Sequence, residues 1–84
     1  MDKNLAKELL QRGALHKAIA EPAPMSTGWN LVLVEHGGGR STLTTVKDKS
    51  SPKEFRRVAA VLAEARSIGF PSAEVNLPQE RDLV

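Results

Sequence analysis

The sequence predicts a small single α+β domain, an antiparallel hairpin or meander packed on one capped helix, with elements in the order α-β-β-β-α-β. Three observations predict it. An apolar repeat of helical spacing runs from Pro52 to Ile68 between clear start and stop signals. A strand-rich run, Trp29 to Glu35, is followed by three glycines and a Thr-rich run. Ala73, Val75 and Leu77 alternate with polar residues. The 84 residues hold one domain and one core, with fraying expected at 1–4 and 79–84. A chain this short buries only about 60% of the surface its unfolded form exposes, which makes a homodimer a realistic source of further burial.

The helix is the best-marked element. Ser51-Pro52-Lys53-Glu54 reads as Ncap to N3 of a capping box, with proline at the one helical position where its missing N–H costs nothing. Phe55, Val58, Leu62 and Ala65 mark the expected buried stripe, with Ala59 and Val61 at its edges. Gly69 supplies the C′ residue, Phe70 can pack back on the last turn, and Pro71 forbids continuation.

The hairpin precedes it. With Gly38-Gly39 as a two-residue turn, Val34 faces Leu43, Val32 faces Thr45 and Leu31 faces Val46. The strand at 29–35 is then apolar on both faces, so its second face needs cover from the N-terminal segment or another subunit. Near the N-terminus, Asp2 can cap a short helix with Leu5, Leu9 and Leu10 on its apolar face and Gly13 as its stop. Residues 14–21 fit either a helix or a strand. Pairing with Trp29–Glu35 favours the strand and leaves Pro22 to Gly28 as the connecting loop.

Composition excludes several classes. There is no cysteine, hence no disulfide and no thiolate metal site. The longest apolar run, Leu31 to Val34, is far short of the roughly 20 residues that cross a bilayer. No apolar signal segment follows Met1, and a cytoplasmic protein without membrane contact is expected. His16 and His36 are the only histidines, so no metal or cofactor is expected, and His36 reads as a solvated hairpin residue. Gly37-Gly38-Gly39 lacks the phosphate-loop spacing. No nucleophile–base pair or paired carboxylates stand out, so no catalytic residue is assigned and a non-enzymatic role is expected. Trp29 reads as a core anchor; the scarcity of aromatics argues against a base-stacking single-strand binder.

Charge is unevenly spread. Residues 40–57 carry a net charge of +4 and residues 74–84 a net charge of −2. In the predicted helix, Lys53, Arg56 and Arg57 occupy the first turn and a half, where the macrodipole disfavours cations; Lys47 and Lys49 crowd the same end. A sequence that breaks a local preference sometimes does so for function. Lys47, Lys49, Lys53, Arg56 and Arg57, with Arg40 farther along the hairpin, are therefore the candidate anion- or nucleic-acid-binding residues.

Four stretches also resemble a loose group of small plasmid and integrative-element proteins, described as partition-associated or replication-accessory. They are Leu9-Leu10-Gln11-Arg12-Gly13-Ala14-Leu15, Gly28-Trp29-Asn30-Leu31-Val32-Leu33, Leu43-Thr44-Thr45-Val46, and Phe55 through Ala65 followed by Ile68-Gly69-Phe70. These motifs are structural and carry no functional residue across. The group tends to have a basic residue after the second strand, where this chain has Lys47. The resemblance implies a mobile-element accessory role associated with DNA. The expected function is thus a non-enzymatic module that contacts DNA phosphates, or a DNA-processing or acidic protein partner. The alternative is a protein–protein inhibitor or adaptor, including an anti-defence protein, that presents Val32, Val34 and Leu43 of the hairpin as its interface.

Overall fold

Asp2 starts the first element of this computed structural model, which describes residues 1–78. Its carboxylate accepts from the Leu5 N–H at 2.9 Å and caps α1 (Lys3–Gln11). Gly13, at φ 77°, turns the chain out of the helix, while the Ala14 N–H donates to the Leu9 carbonyl. The first four residues, expected to fray, are tied down: the Thr44 N–H donates to the Met1 carbonyl at 2.8 Å, and Asp2 is buried.

The ambiguous run is a strand, β1 (Leu15–Pro22), antiparallel to β2 (Trp29–Glu35). Its N-terminal end contains a β-bulge: Leu15 lies opposite Glu35, yet Lys17 already lies opposite Val34. The extra residue keeps Leu15 in the core while the rest of the strand alternates in a register set by Ala18 opposite Leu33 and Ala20 opposite Leu31.

The turn after β2 differs from the expected one. The Glu35 N–H donates to the Gly39 carbonyl and the Gly38 N–H to the Glu35 carbonyl, so three residues, 36–38, form the loop, with Gly38 at φ 95°. In β3 (Arg40–Thr42), Arg40 therefore faces Val34, and Thr42 faces Val32. Relative to the expected pairing the third strand has moved by an odd number of residues, which exchanges its faces. Leu43 is placed beside Leu31 (N–H to carbonyl, 2.7 Å) and is fully buried, rather than opposite Val34. Burial of a large side chain decides this register over the shortest possible turn.

Residues 51–57 depart most from the expected helix. They are not helical. Thr44 bridges Pro52, and the Lys53 N–H donates to the Leu43 carbonyl; Trp29 and Phe55 exchange both backbone hydrogen bonds at 2.7 and 2.8 Å. The buried Asn30 side chain adds a bond to the Lys53 carbonyl. Sheet-like pairing thus satisfies backbone groups that a first helical turn would have left free. The helix α2 (Val58–Ile68) begins after Arg57, whose backbone is extended and whose side chain makes no capping bond. Its buried face is Val61, Ala65 and Ile68, with Val58 half-buried; Leu62 and Ala59 turn outward. Gly69, at φ 127°, ends the helix, and buried Phe70 packs back as expected.

The last strand, β4 (Glu74–Val75), is shorter and more exposed than the alternation suggested. It pairs parallel with β1, giving the sheet order β3-β2-β1-β4. Both helices cover one face of the sheet. There Ala18, Ala20, Leu31 and Leu33 meet Ala6, Val61, Ala65 and Ile68, closed by Leu15, Leu43 and Phe70.

Among the described residues no second layer covers the other face. Its apolar residues Ile19 and Val32 are nevertheless buried. Arg40 on β3 pairs with Glu21 on β1, across the intervening β2, and Asn76 donates to the same carboxylate at 3.0 Å. Lys17 and Glu74 pair across β1 and β4 at 3.0 Å. Long side chains paired across this face can cover apolar neighbours with their aliphatic stems, and Ile19 and Val32 are buried within the single chain.

Candidate nucleic-acid interface

The candidate cations do not form the helix-terminal cluster that the sequence suggested. Arg40 lies apart, on the open face of the sheet, engaged with Glu21. The other five follow one continuous path. Residues 43–45 and 51–53 pair as a small hairpin whose tip carries Lys47 and Lys49; the chain then runs extended through Lys53 to Arg56 and Arg57. The seven residues from 51 to 57 would span about 20 Å if fully extended.

The tip is organised by Asp48. Its carboxylate accepts from the Ser50 N–H (3.0 Å), the Ser50 hydroxyl (2.6 Å) and the Ser51 hydroxyl (2.7 Å). Thr45 closes the turn through its hydroxyl, which accepts from the Asp48 N–H and donates to the Asp48 carbonyl. The Ser50 hydroxyl, then the Ser51 hydroxyl and the Ser50 N–H, hold the Asp48 carboxyl down at about 2. Ser51 therefore serves this turn and caps no helix.

Lys49 reaches back to Asp2 at 3.5 Å and links the tip to the start of α1. The Asp2 carboxyl lies below its ordinary value, chiefly through the Leu5 N–H and against the opposing effect of desolvation. Lys53 donates to Glu64 on α2 at 2.8 Å, and Lys3 approaches the other oxygen of that carboxylate at 3.4 Å. Partial burial works to raise the Glu64 carboxyl, but the hydrogen bond and charge of Lys53, with Lys3 behind them, hold it below the usual range. Lys53 also stands 5.4 Å from the centre of the Phe55 ring, a cation–π distance. Local sequence gives no sign of the Lys3–Glu64–Lys53 node, whose members come from α1, α2 and the non-helical segment before α2.

Lys47, Arg56 and Arg57 are exposed and have no carboxylate partner among the described residues. The dipole conflict that singled them out largely disappears, because the first turn of α2 holds Val58, Ala59 and Ala60 and no charge. What remains is a row of cations along an extended edge, free at both ends and ion-paired in the middle.

The residues expected at a hairpin interface are largely withdrawn from the surface. Leu43 is fully buried in the core, Val32 is buried beneath the ion-paired face, and Val34 is half-buried. An open groove of about 580 Å³ lies elsewhere, between the β1–β2 loop and residues 76–78, lined by Pro22, Pro24, Trp29 and Leu77. Trp29 itself is half-buried against the core, as a core-edge anchor. Among the described residues no three His, Asp or Glu side chains converge as a metal site, and no helix is long and apolar enough to cross a membrane. Compared with protein-family models, curated proteins and solved structures, the chain matches none.

Proposed function

We propose that the chain is a non-enzymatic binding module that contacts the phosphate backbone of DNA through the ridge Lys47, Lys49, Lys53, Arg56 and Arg57. The observation that carries this reading is the succession of these five cations along one stretch of chain, from the hairpin tip with Lys47 and Lys49 through Lys53 to the exposed Arg56 and Arg57. Lys47, Arg56 and Arg57 are unpaired among the described residues and supply the first contacts. Lys49 and Lys53 exchange their carboxylates for phosphates at closer approach. No aromatic side chain is presented between the cations for stacking, since Phe55 is half-buried against the core, so the contacts give affinity with little sequence readout. Arg40 is set aside from the ridge by its place on the opposite face. The mobile-element setting rests on the residue resemblance alone.

The test is fluorescence anisotropy of a short labelled duplex at low salt, comparing the unaltered chain with Lys47→Glu, Arg56→Glu, Arg57→Glu in combination. These positions are exposed and unpaired among the described residues, so the variant should keep its fold by circular dichroism while losing binding. Absence of binding by the unaltered chain, or equal binding by a folded variant, would reject the reading.

A further inference from the structure

The bulge in β1 has a consequence separate from the basic ridge. His16 is its extra residue, on β1, and His36 opens the three-residue turn after β2. The His36 N–H donates to the Ala14 carbonyl at 3.3 Å, fastening the turn to the chain just before the bulge. The two imidazole rings consequently lie with their centres 5.3 Å apart and their planes at 51°, both exposed to solvent. In a regular ladder without the extra residue, the register of the rest of β1 would set His16 opposite Glu35. Bulges re-aim side chains in this way.

That separation has a chemical meaning. A zinc ion sits about 2.0–2.1 Å from a ligating imidazole nitrogen, and tetrahedral ligation by two imidazoles therefore sets their ring centres about 5.2 Å apart. A right-angled pair of ligands would bring the centres to about 4.5 Å, appreciably closer than the rings stand. The backbone on both sides is held by strand pairing and the bonded turn, so the two rings are brought near ligating separation before any ion arrives. Imidazole suits zinc, nickel and copper rather than magnesium or calcium.

We propose that His16 and His36 form a two-ligand site for a divalent transition metal such as zinc. The remaining coordination positions are open to water or to a donor from outside the chain, so the ion is exchangeable and accessible rather than a structural staple. The site is independent of the DNA reading, because it lies where β1 begins and β2 ends, beside the β2–β3 turn, and uses none of the ridge residues.

Calorimetric titration of the tag-free full chain with zinc chloride should show one ion per chain. His16→Ala and His36→Ala should each weaken binding by roughly tenfold or more, with unchanged circular dichroism. His36 is an exposed turn residue, so its variant decides the matter even where His16→Ala perturbs the bulge. Cobalt(II) added to the unaltered chain should give the intense visible absorption of a tetrahedral centre, a readout that needs no variant. No zinc binding, binding undiminished in a folded His36→Ala chain, or a weak octahedral cobalt spectrum would each overturn the proposal.

Discussion

Single side chains settle what the helix α2 buries. Val61 is fully buried, whereas its neighbour Leu62 is 37% exposed. Val61→Ala should therefore cost about 2 kcal/mol, the loss of two buried carbons plus a residual cavity. Leu62→Ala should cost less than about 1 kcal/mol despite removing more atoms. Chemical denaturation of the two variants checks this, and the opposite ranking would restore the stripe expected from the sequence. Asp48 gives a second test at the same scale. Its carboxyl titrates at about 2 in the folded chain, against an ordinary value of 3.8. A depressed carboxyl stabilises the fold fully above the ordinary value, and that contribution is lost as pH falls through about 2. Carbon-detected NMR titration should find that midpoint, and Ser50→Ala, which removes the largest cause, should move it upward. Many of these positions were legible one residue at a time: the Asp2 cap, the Gly13 and Gly69 stops and the return of Phe70 each depend on local chemistry.

Elements were legible where local and tertiary preferences agree, and misread where they compete. Ser51-Pro52-Lys53-Glu54 satisfies the rules for a helix start, yet Pro52 and Phe55 pair instead with Thr44 and Trp29. Proline is equally at home in an extended edge, and the buried Asn30 side chain supplies a partner that no local rule could foresee. The same competition set the register of β3, where burying Leu43 outweighed the tighter glycine turn. The extended segment has a sharp structural requirement at Gly28. A Cβ there would stand 2.9 Å from the Phe55 carbonyl oxygen and 2.7–2.8 Å from the Glu54 side chain. Glu54 can move, but the backbone oxygen cannot do so without breaking the Trp29–Phe55 pairing. Gly28→Ala should cost about 1–3 kcal/mol, a fall of roughly 4–8 °C in Tm for each of those kcal/mol in a domain of this size. A thermal melt unchanged within a degree would show that residues 51–57 are not held against the sheet.

At the scale of the whole molecule, the sheet has one face covered by two helices and one protected by crossing ion pairs. That arrangement explains how a strand apolar on both sides exists without a second layer. It also buries Val32 and Leu43, two of the three side chains expected at a hairpin interface, and leaves Val34 half-buried. The candidate site was only partly legible for the same reason. Sequence located the cations between residues 47 and 57, but the helix on which it placed Lys53, Arg56 and Arg57 does not begin until Val58. The partners of Lys49 and Lys53, and the approach of His16 to His36, arise from contacts between residues far apart in the chain. Glu64 shows how the whole fold tunes the ridge. Lys53→Ala would leave that carboxylate with Lys3 alone, raising its pKa and costing about 1 kcal/mol, given that Lys53 is itself 41% exposed. Urea denaturation at neutral and mildly acidic pH would measure both effects.

The central claim is that the edge from Lys47 to Arg57 meets phosphate. Its most direct test is the dependence of duplex affinity on salt, measured by anisotropy across a range of sodium chloride concentrations. Each phosphate contact contributes about −0.9 to the slope of log Kobs against log salt, so the three cations unpaired among the described residues predict a slope near −3 and all five a slope near −4.5. Combining Lys47→Glu, Arg56→Glu and Arg57→Glu should flatten that slope by about 3. A slope near zero, or one that the charge reversals leave unchanged, would contradict the account.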